Sequence, residues 1–326
     1  EEVLSRWNHS IEEIRSVTQT SASIAAATLR WPQQSDWKVP QSMPECISVG
    51  DVLITVPKTA DSIDATQSSS LCAEMPAVLR FPTDTSLLVE HDSAGREVAL
   101  SFIRRQMLKL LTVIPAGRIR LTLIDPVGLG QSFSAMMHLA DFDDLLIHSR
   151  IWTDGSQIRD QLQKVTEHME NIFQTYLRSQ FDTIEEYNIS AGEVAEPYHF
   201  VVVAGFPTAF TEESARHMAS ILTSGPRCGV HALVAWNPAI AAPPSFDIDD
   251  LTNNCQRFHV VKGVVQPRLT FAKSVVFEQF SEPPAEQYVK LVRDVGEQSK
   301  DARRVEVSFT RIAPRNDEIW SHSTAD

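Results

Sequence analysis

Disulfide framing is excluded at once, because the 326 residues hold only four cysteines. Cys46, Cys72, Cys228 and Cys255 are scattered, with no CxxC pair, and read as reduced, mostly buried thiols of a cytosolic protein. Long apolar runs are missing too. None approaches the ~20 residues that a membrane helix needs, and nothing like a signal peptide precedes the first periodic segment. Positive charge is in deficit: 29 Lys and Arg against 42 Asp and Glu give a net charge of −13. That balance disfavours broad, sequence-independent nucleic-acid binding, which needs clustered cations, and leaves a local basic patch open. There is no internal repeat. The chain opens on Glu1 rather than Met and closes on Asp326 without an obvious terminal structure, so it reads as a piece of a longer protein.

What is present suffices for a substantial core. A hydrophobic fraction of 43% and a charged fraction of 22% are those of an ordinary globular protein. The length allows about two units: an N-terminal helix and β extension over 1–75 and a main module over 76–326. Val3, Trp7, Ile11, Ile14 and Val17 recur at helical spacing, which predicts an amphipathic helix over 2–29, ended by Trp31-Pro32. Residues 46–56 suggest a strand pair turning at Gly50-Asp51, residues 58–70 a mobile polar loop, and Ala77–Phe81 a short strand. Further strands are expected at Arg120–Ile124, Phe200–Ala204, Val230–Trp236, Arg257–Lys262, Leu269–Phe271 and Val305–Phe309. Asp141–Ile151 mixes acidic residues with a strand-like Leu-Leu-Ile, and its aspartates read as a solvated helix start rather than a metal site. Asp154 with Gln157 resembles a capping box, opening a long helix to about Arg178. Thr211 is placed to cap another helix, and 285–299 forms a last one. Strand and helix alternate through the middle, which argues an α/β fold with a mostly parallel sheet covered on both faces.

The chain is organised around Leu87–Leu111, a short apolar strand that turns through a small loop into a helix with a core-facing stripe. This is the frame of a phosphate-cradling loop, whose pattern is Gly, four residues, then Gly-Lys-Ser/Thr. On that frame Glu90 replaces the first Gly, His91, Asp92, Ser93 and Ala94 fill the loop, and Gly95 is retained. Arg96 replaces the Lys and Glu97 the hydroxyl residue. The unpaired first amides and the dipole of a helix attract phosphate, but Glu97 in the first turn is expected to meet that demand itself. Glu90 would face a triphosphate with like charge, a repulsion of roughly 4 kcal/mol at 4 Å and an effective dielectric near 20. Arg96 could still pair with phosphate, though as a planar fork instead of a compact ammonium.

Other constellations carry less. Gly130-Gln131-Ser132-Phe133-Ser134 is one Gly short of a nucleophile elbow, and Asp125 and His138 nearby do not make a triad. Phe246–Asp250 lacks the Gly and terminal Glu of a calcium loop. Arg104, Arg105 and Lys109, with Arg118 and Arg120, would form a DNA-contacting patch only if their faces converge; such residues are usually the wet side of a helix.

Several phrases, in their order and spacing over about 76–262, resemble the FtsK/SpoIIIE family of hexameric DNA-translocating ATPases. Leu123-Ile124-Asp125-Pro126 is similar to that family's strand ending in Ile-Asp-Pro-Lys. Thr183–Asn188 resembles its segment after the long helix, and Arg227-Cys228-Gly229-Val230-His231 its Arg-x-x-Gly-Ile-His lead into a strand ending Ala-Thr-Gln. Asp125–Gly130 and Thr166–Asn171 are similar to a subgroup of long bacterial members in which a degenerate module precedes an intact one. Asp317-Glu318-Ile319-Trp320 looks like the exit towards that next module. The resemblance implies a RecA-like P-loop NTPase fold. It also shows what is gone. Family strands that bear the catalytic acids end in Asp-Glu, and here Ala204 and Gly205 stand in their place, with Asn237 at the γ-phosphate-sensing Gln. Magnesium and the attacking water both need polar oxygens there, so phosphate, metal and water sites are altered together.

The expectation is therefore a catalytically inactive module, an assembly or regulatory platform with no cofactor and no metal. Its partners would be neighbouring ATPase modules of the same longer chain, in a homo-oligomeric ring. A cytoplasmic location is expected, with any membrane association of the parent protein left open. Two rivals stand beside it: an ATP-binding translocase module with a non-standard loop, using Arg96 and Asn237 with Mg-ATP, and a DNA-contacting module of a translocase ring.

Overall fold

In a computed structural model the structure describes residues 37–56, 71–147, 150–178, 180–268 and 275–302. The expected N-terminal helix, the 58–70 loop, the strands at Leu269–Phe271 and Val305–Phe309 and the segment Asp317–Trp320 lie outside the described residues.

The elements run β1 (Cys46–Val56), β2 (Leu71–Arg80), β3 (Leu87–Glu90), α1 (Arg96–Val113), β4 (Ile119–Ile124), α2 (Asp144–Ile147), β5 (Ile151–Trp152) and α3 (Gly155–Ile172). They continue through α4 (Ile184–Ala191), β6 (Tyr198–Phe206), α5 (Glu212–Ser224), β7 (Val230–Trp236), α6 (Ile248–Asn254), β8 (Gln256–Val261), β9 (Val264–Pro267), β10 (Val275–Gln279) and α7 (Ala285–Ala302). Seven strands form the main sheet in the order β5-β4-β6-β7-β3-β8-β9. All neighbours pair parallel except β9, which runs antiparallel to β8 at the edge.

The apolar runs are central for a physical reason. Every residue of β6 and β7 is buried, as a parallel strand covered on both faces requires. The crossover from β3 to β4 steps one way along the sheet, and those from β5 to β6, β6 to β7 and β7 to β8 step the other way. Right-handed crossovers then put α1 on one face and α3, α5 and α6 on the other. The packing agrees, with α1 against α7 and α5 against both α3 and α6. Caps set the helix starts. Asp154 accepts from the Ser156 and Gln157 amides, while Thr211 and Ser214 cap each other reciprocally. The return half of the expected Asp154–Gln157 box is missing, because Gln157 Oε1 is buried without a partner.

Two expectations are corrected. Residues 46–56 are one strand with a register irregularity between Ser48 and Gly50, not a pair turning at Gly50. Gly50 serves close approach instead: a Cβ there would lie 2.6 Å from the Glu278 carbonyl oxygen of β10. The short strand expected at Ala77–Phe81 is the end of β2, which belongs to a separate antiparallel sheet ordered β10-β1-β2. That small sheet takes strands from either side of position 75. Leu145-Leu146-Ile147 is helical, begun by Asp144. Among the described residues no helix is long and apolar enough to cross a membrane.

Candidate nucleotide cleft

The carboxyl ends of β3, β7, β6 and β4 lie side by side, and in open parallel sheets that rim is where ligands bind. The loop His91–Gly95 leaves β3 there and enters α1 at Arg96. The frame expected for Glu90–Glu97 is therefore present. Its side chains are disposed differently from the expectation.

Glu97 does not cap α1. It is largely exposed and accepts from Arg104 Nη2 at 2.7 Å. The loop amide is met by Asp92, whose Oδ1 accepts from the Gly95 N–H at 2.7 Å. An internal carboxylate thus holds a donor that a phosphate loop would offer its ligand. Ser93 and Ala94 are exposed at the apex. His91 is buried. Its Nδ1 donates to the Asp92 carbonyl at 2.8 Å in the tautomer that bond requires, and burial lowers its pKa.

Glu90 does not stand as an unpaired charge towards the cleft. It is 8% exposed and held by Arg257 at 2.7 Å and Arg268 at 3.1 Å, both from the β8–β9 side. Arg96 points away from the loop and across the strand ends. Its Nη2 donates to Asp125 Oδ1 at 3.3 Å, to Ser132 Oγ at 3.4 Å and to the Ala204 carbonyl at 3.2 Å. Asp125 is fully buried and also accepts from the Gly128, Gly130 and Ser132 amides at 2.8, 3.1 and 3.0 Å. One guanidinium thereby ties α1 to the ends of β4 and β6.

Ala204 and Gly205 lie at the end of β6, and no carboxylate projects from either. Gly205 sits in a register irregularity at φ +137°, with room for a Cβ only 3.0 Å from Val127 Cγ2. An L residue at that φ is strained, so this backbone is shaped for glycine. Asn237 is buried with its Oδ1 accepting from the Ala239 amide at 3.0 Å. Its acceptor is turned onto its own loop. Among the described residues no group of three or more His, Cys, Asp and Glu could hold a metal.

The basic residues considered for DNA do not converge on a free surface. Arg105 is 5% exposed and donates to the Phe280 carbonyl and, at 2.7 Å, to Gln279 Oε1. Lys109 is 3% exposed, 5.8 Å from the Phe280 ring, and burial lowers its pKa to about 8. Arg104 pairs with Glu97 and Glu282. These three side chains tie α1 to the end of β10 and the segment after it. His138 pairs loosely with Asp141 at 3.6 Å and makes no triad with Ser132. Sequence reasoning missed Ser132, Arg257 and Arg268 as partners of the loop residues. The only hint was an aspartate followed closely by two glycines, a pattern that lets a carboxylate cap its own loop.

No family model matches the sequence, and no curated protein does. Solved structures do. EssC (ATPases 2 and 3) from Geobacillus thermodenitrificans superposes with a TM-score of 0.54 at 11% identity, over 82% of this chain and 50% of that one. The likeness is one of fold: the chain shares the mostly parallel, helix-covered sheet of that ATPase module. The cytoplasmic domain of the Thermomonospora curvata type VII secretion ATPase EccC matches with a TM-score of 0.52 at 12% identity, over 77% of this chain and 30% of that one. EccC (ATPases 2 and 3) in complex with a signal sequence peptide matches at 0.52 and 13%, over 81% and 51%. The chain thus spans about half or less of the proteins whose modules it resembles.

Proposed function

We propose that this chain is a catalytically silent module of a longer, multi-module translocating ATPase, serving as an assembly and regulatory platform for catalytic neighbours. One observation carries the reading: Arg96, at the position of the phosphate-binding lysine, is bound to Asp125 and to the carbonyl of Ala204. The cation for the phosphates and the place for the catalytic acid are joined to each other. Restoring nucleotide binding would require breaking that bridge and displacing Asp92 from the Gly95 amide, and even then no side chain from Ala204 or Gly205 could hold magnesium.

The neighbours in the parent chain would be ATPase modules, and a homo-oligomeric ring is the arrangement proposed for them. EccC is a type VII secretion ATPase, and one of its structures is a complex with a signal sequence peptide. A protein cargo for the parent machine follows that likeness better than DNA does, given the net charge of −13 and the burial of Arg105 and Lys109. Phosphate release from Mg-ATP by the purified chain tests the reading. It should not exceed a buffer control. Turnover above that control which disappears in Arg96→Ala would establish the rival, a working site built on a non-standard loop.

A further inference from the structure

A cavity of about 400 Å³ lies between the sheet and α3, on the face opposite α1. Gln161, Lys164 and His168 reach it from one side of α3, spaced so that they share a helix face. Arg120 of β4, Trp152 of β5 and His199 of β6 line it from the sheet. The lining contains no carboxylate, although the chain as a whole is strongly acidic.

Four of its polar groups, Arg120, Lys164, Trp152 and His168, are left wanting an acceptor among the described residues. Arg120 and Lys164 have no ion-pair partner among the described residues. Trp152 Nε1 and His168 Nε2 are buried with no hydrogen-bond partner, a state that few buried polar atoms tolerate. The indole is held from outside, with the Arg150 guanidinium 5.3 Å from its ring centre. His199 is held too, its Nε2 2.8 Å from Thr122 Oγ1 and its ring 6.3 Å from that of His168. Burial and the charge of Arg120 lower the His168 pKa, so the ring is neutral near pH 7 and can present an Nε2–H. A planar guanidinium, an ammonium at the rim, an indole N–H and an imidazole N–H are the donors that an oxyanion satisfies together.

We infer that this cavity binds a small phosphate-bearing anion, with Arg120 as the fork, Lys164 as the point charge and Trp152 as a fixed neutral donor. The volume falls at the lower end of small-molecule sites, so free phosphate and a small phosphomonoester share the chemistry. The site is independent of the loop cleft and of the module's proposed silence.

Calorimetric titrations of the whole chain with inorganic phosphate, and separately with AMP, at low ionic strength test it. Saturable binding is expected with a Kd on the order of millimolar or tighter, weakened about tenfold by Lys164→Met and by Trp152→Phe. Both variants should keep the wild-type circular dichroism spectrum, because Lys164 is exposed and phenylalanine keeps the ring under Arg150. AMP binding more tightly than phosphate would identify the phosphomonoester, and equal affinity would identify phosphate alone. No saturable heat with either probe, or binding that neither substitution alters, would overturn the inference.

Discussion

Replacing Asp125 with alanine should be the most damaging single change at the strand ends. The carboxylate is fully buried and accepts from the amides of Gly128, Gly130 and Ser132 and from Arg96. Hydrogen bonds to a charged group contribute about 1.5–3 kcal/mol each. The three amides share one loop and relax together, so the terms do not add. Leaving a buried donor unsatisfied costs about 1–3 kcal/mol, so with three amides stranded Asp125→Ala is expected to cost about 3–5 kcal/mol. With 2–4 °C per kcal/mol for a domain of this size, the melting temperature should fall by about 10 °C. Arg96 is a quarter exposed and its contacts are long, 3.2–3.4 Å. Arg96→Met should therefore cost only about 1 kcal/mol. Urea unfolding of both single variants and the double variant gives the coupling. The reasoning fails if Asp125→Ala stays within about 0.5 kcal/mol of wild type, or if Arg96→Met costs as much as Asp125→Ala.

Three further outcomes follow. Gly205→Ala should destabilise by about 1–3 kcal/mol, because it forces a Cβ at φ +137° to within 3.0 Å of Val127 Cγ2; a neutral result in chemical denaturation would contradict the strain. His231 is 1% exposed, with neither ring nitrogen bonded, and its ring lies 5.4 Å from that of Phe200; burial lowers its pKa to about 3. The unfolded chain, with a histidine pKa near 6.5, then binds the extra proton first. This contribution is complete above about pH 6.5 and is lost on acidification towards pH 3, by about 1.4 kcal/mol per unit. Relative to wild type, His231→Phe should flatten stability between pH 7 and 5 by that slope; parallel curves would refute the burial argument. Thr211→Ala removes a reciprocal cap with Ser214 and should cost about 1 kcal/mol, read as a lower urea midpoint at unchanged slope.

The elements that announce themselves in sequence are those whose burial is local. Val201–Val203 and Leu233-Val234 are continuous apolar runs, and the sheet buries them on both faces. Asp154 and Thr211 act within three residues of themselves, so their capping roles can be read without the fold. The small sheet could not be read that way. β1 is bridged by β10 more than 200 residues later, and nothing in Gly50-Asp51 distinguishes a turn from a strand closely approached by Phe277 and Glu278. The cleft divides along the same line. The absence of acids at Ala204 and Gly205 is a matter of residue type and is visible at once. Where a long side chain reaches is not: Arg96 crosses to Asp125 and Ala204, and Glu90 is claimed by Arg257 and Arg268, through contacts 29 to 178 residues apart. Glu97, assigned by its place in the first turn, lost that role to Asp92, which lies closer to the Gly95 amide.

The silence of the cleft is tested most directly by calorimetric titration of the intact chain with Mg-ATP, carried out with wild type and with Arg96→Ala. The bridge from Arg96 to Asp125, with Asp92 on the loop amide, predicts no saturable magnesium-dependent heat at millimolar nucleotide in wild type. Stoichiometric Mg-ATP binding by wild type that Arg96→Ala abolishes would contradict it.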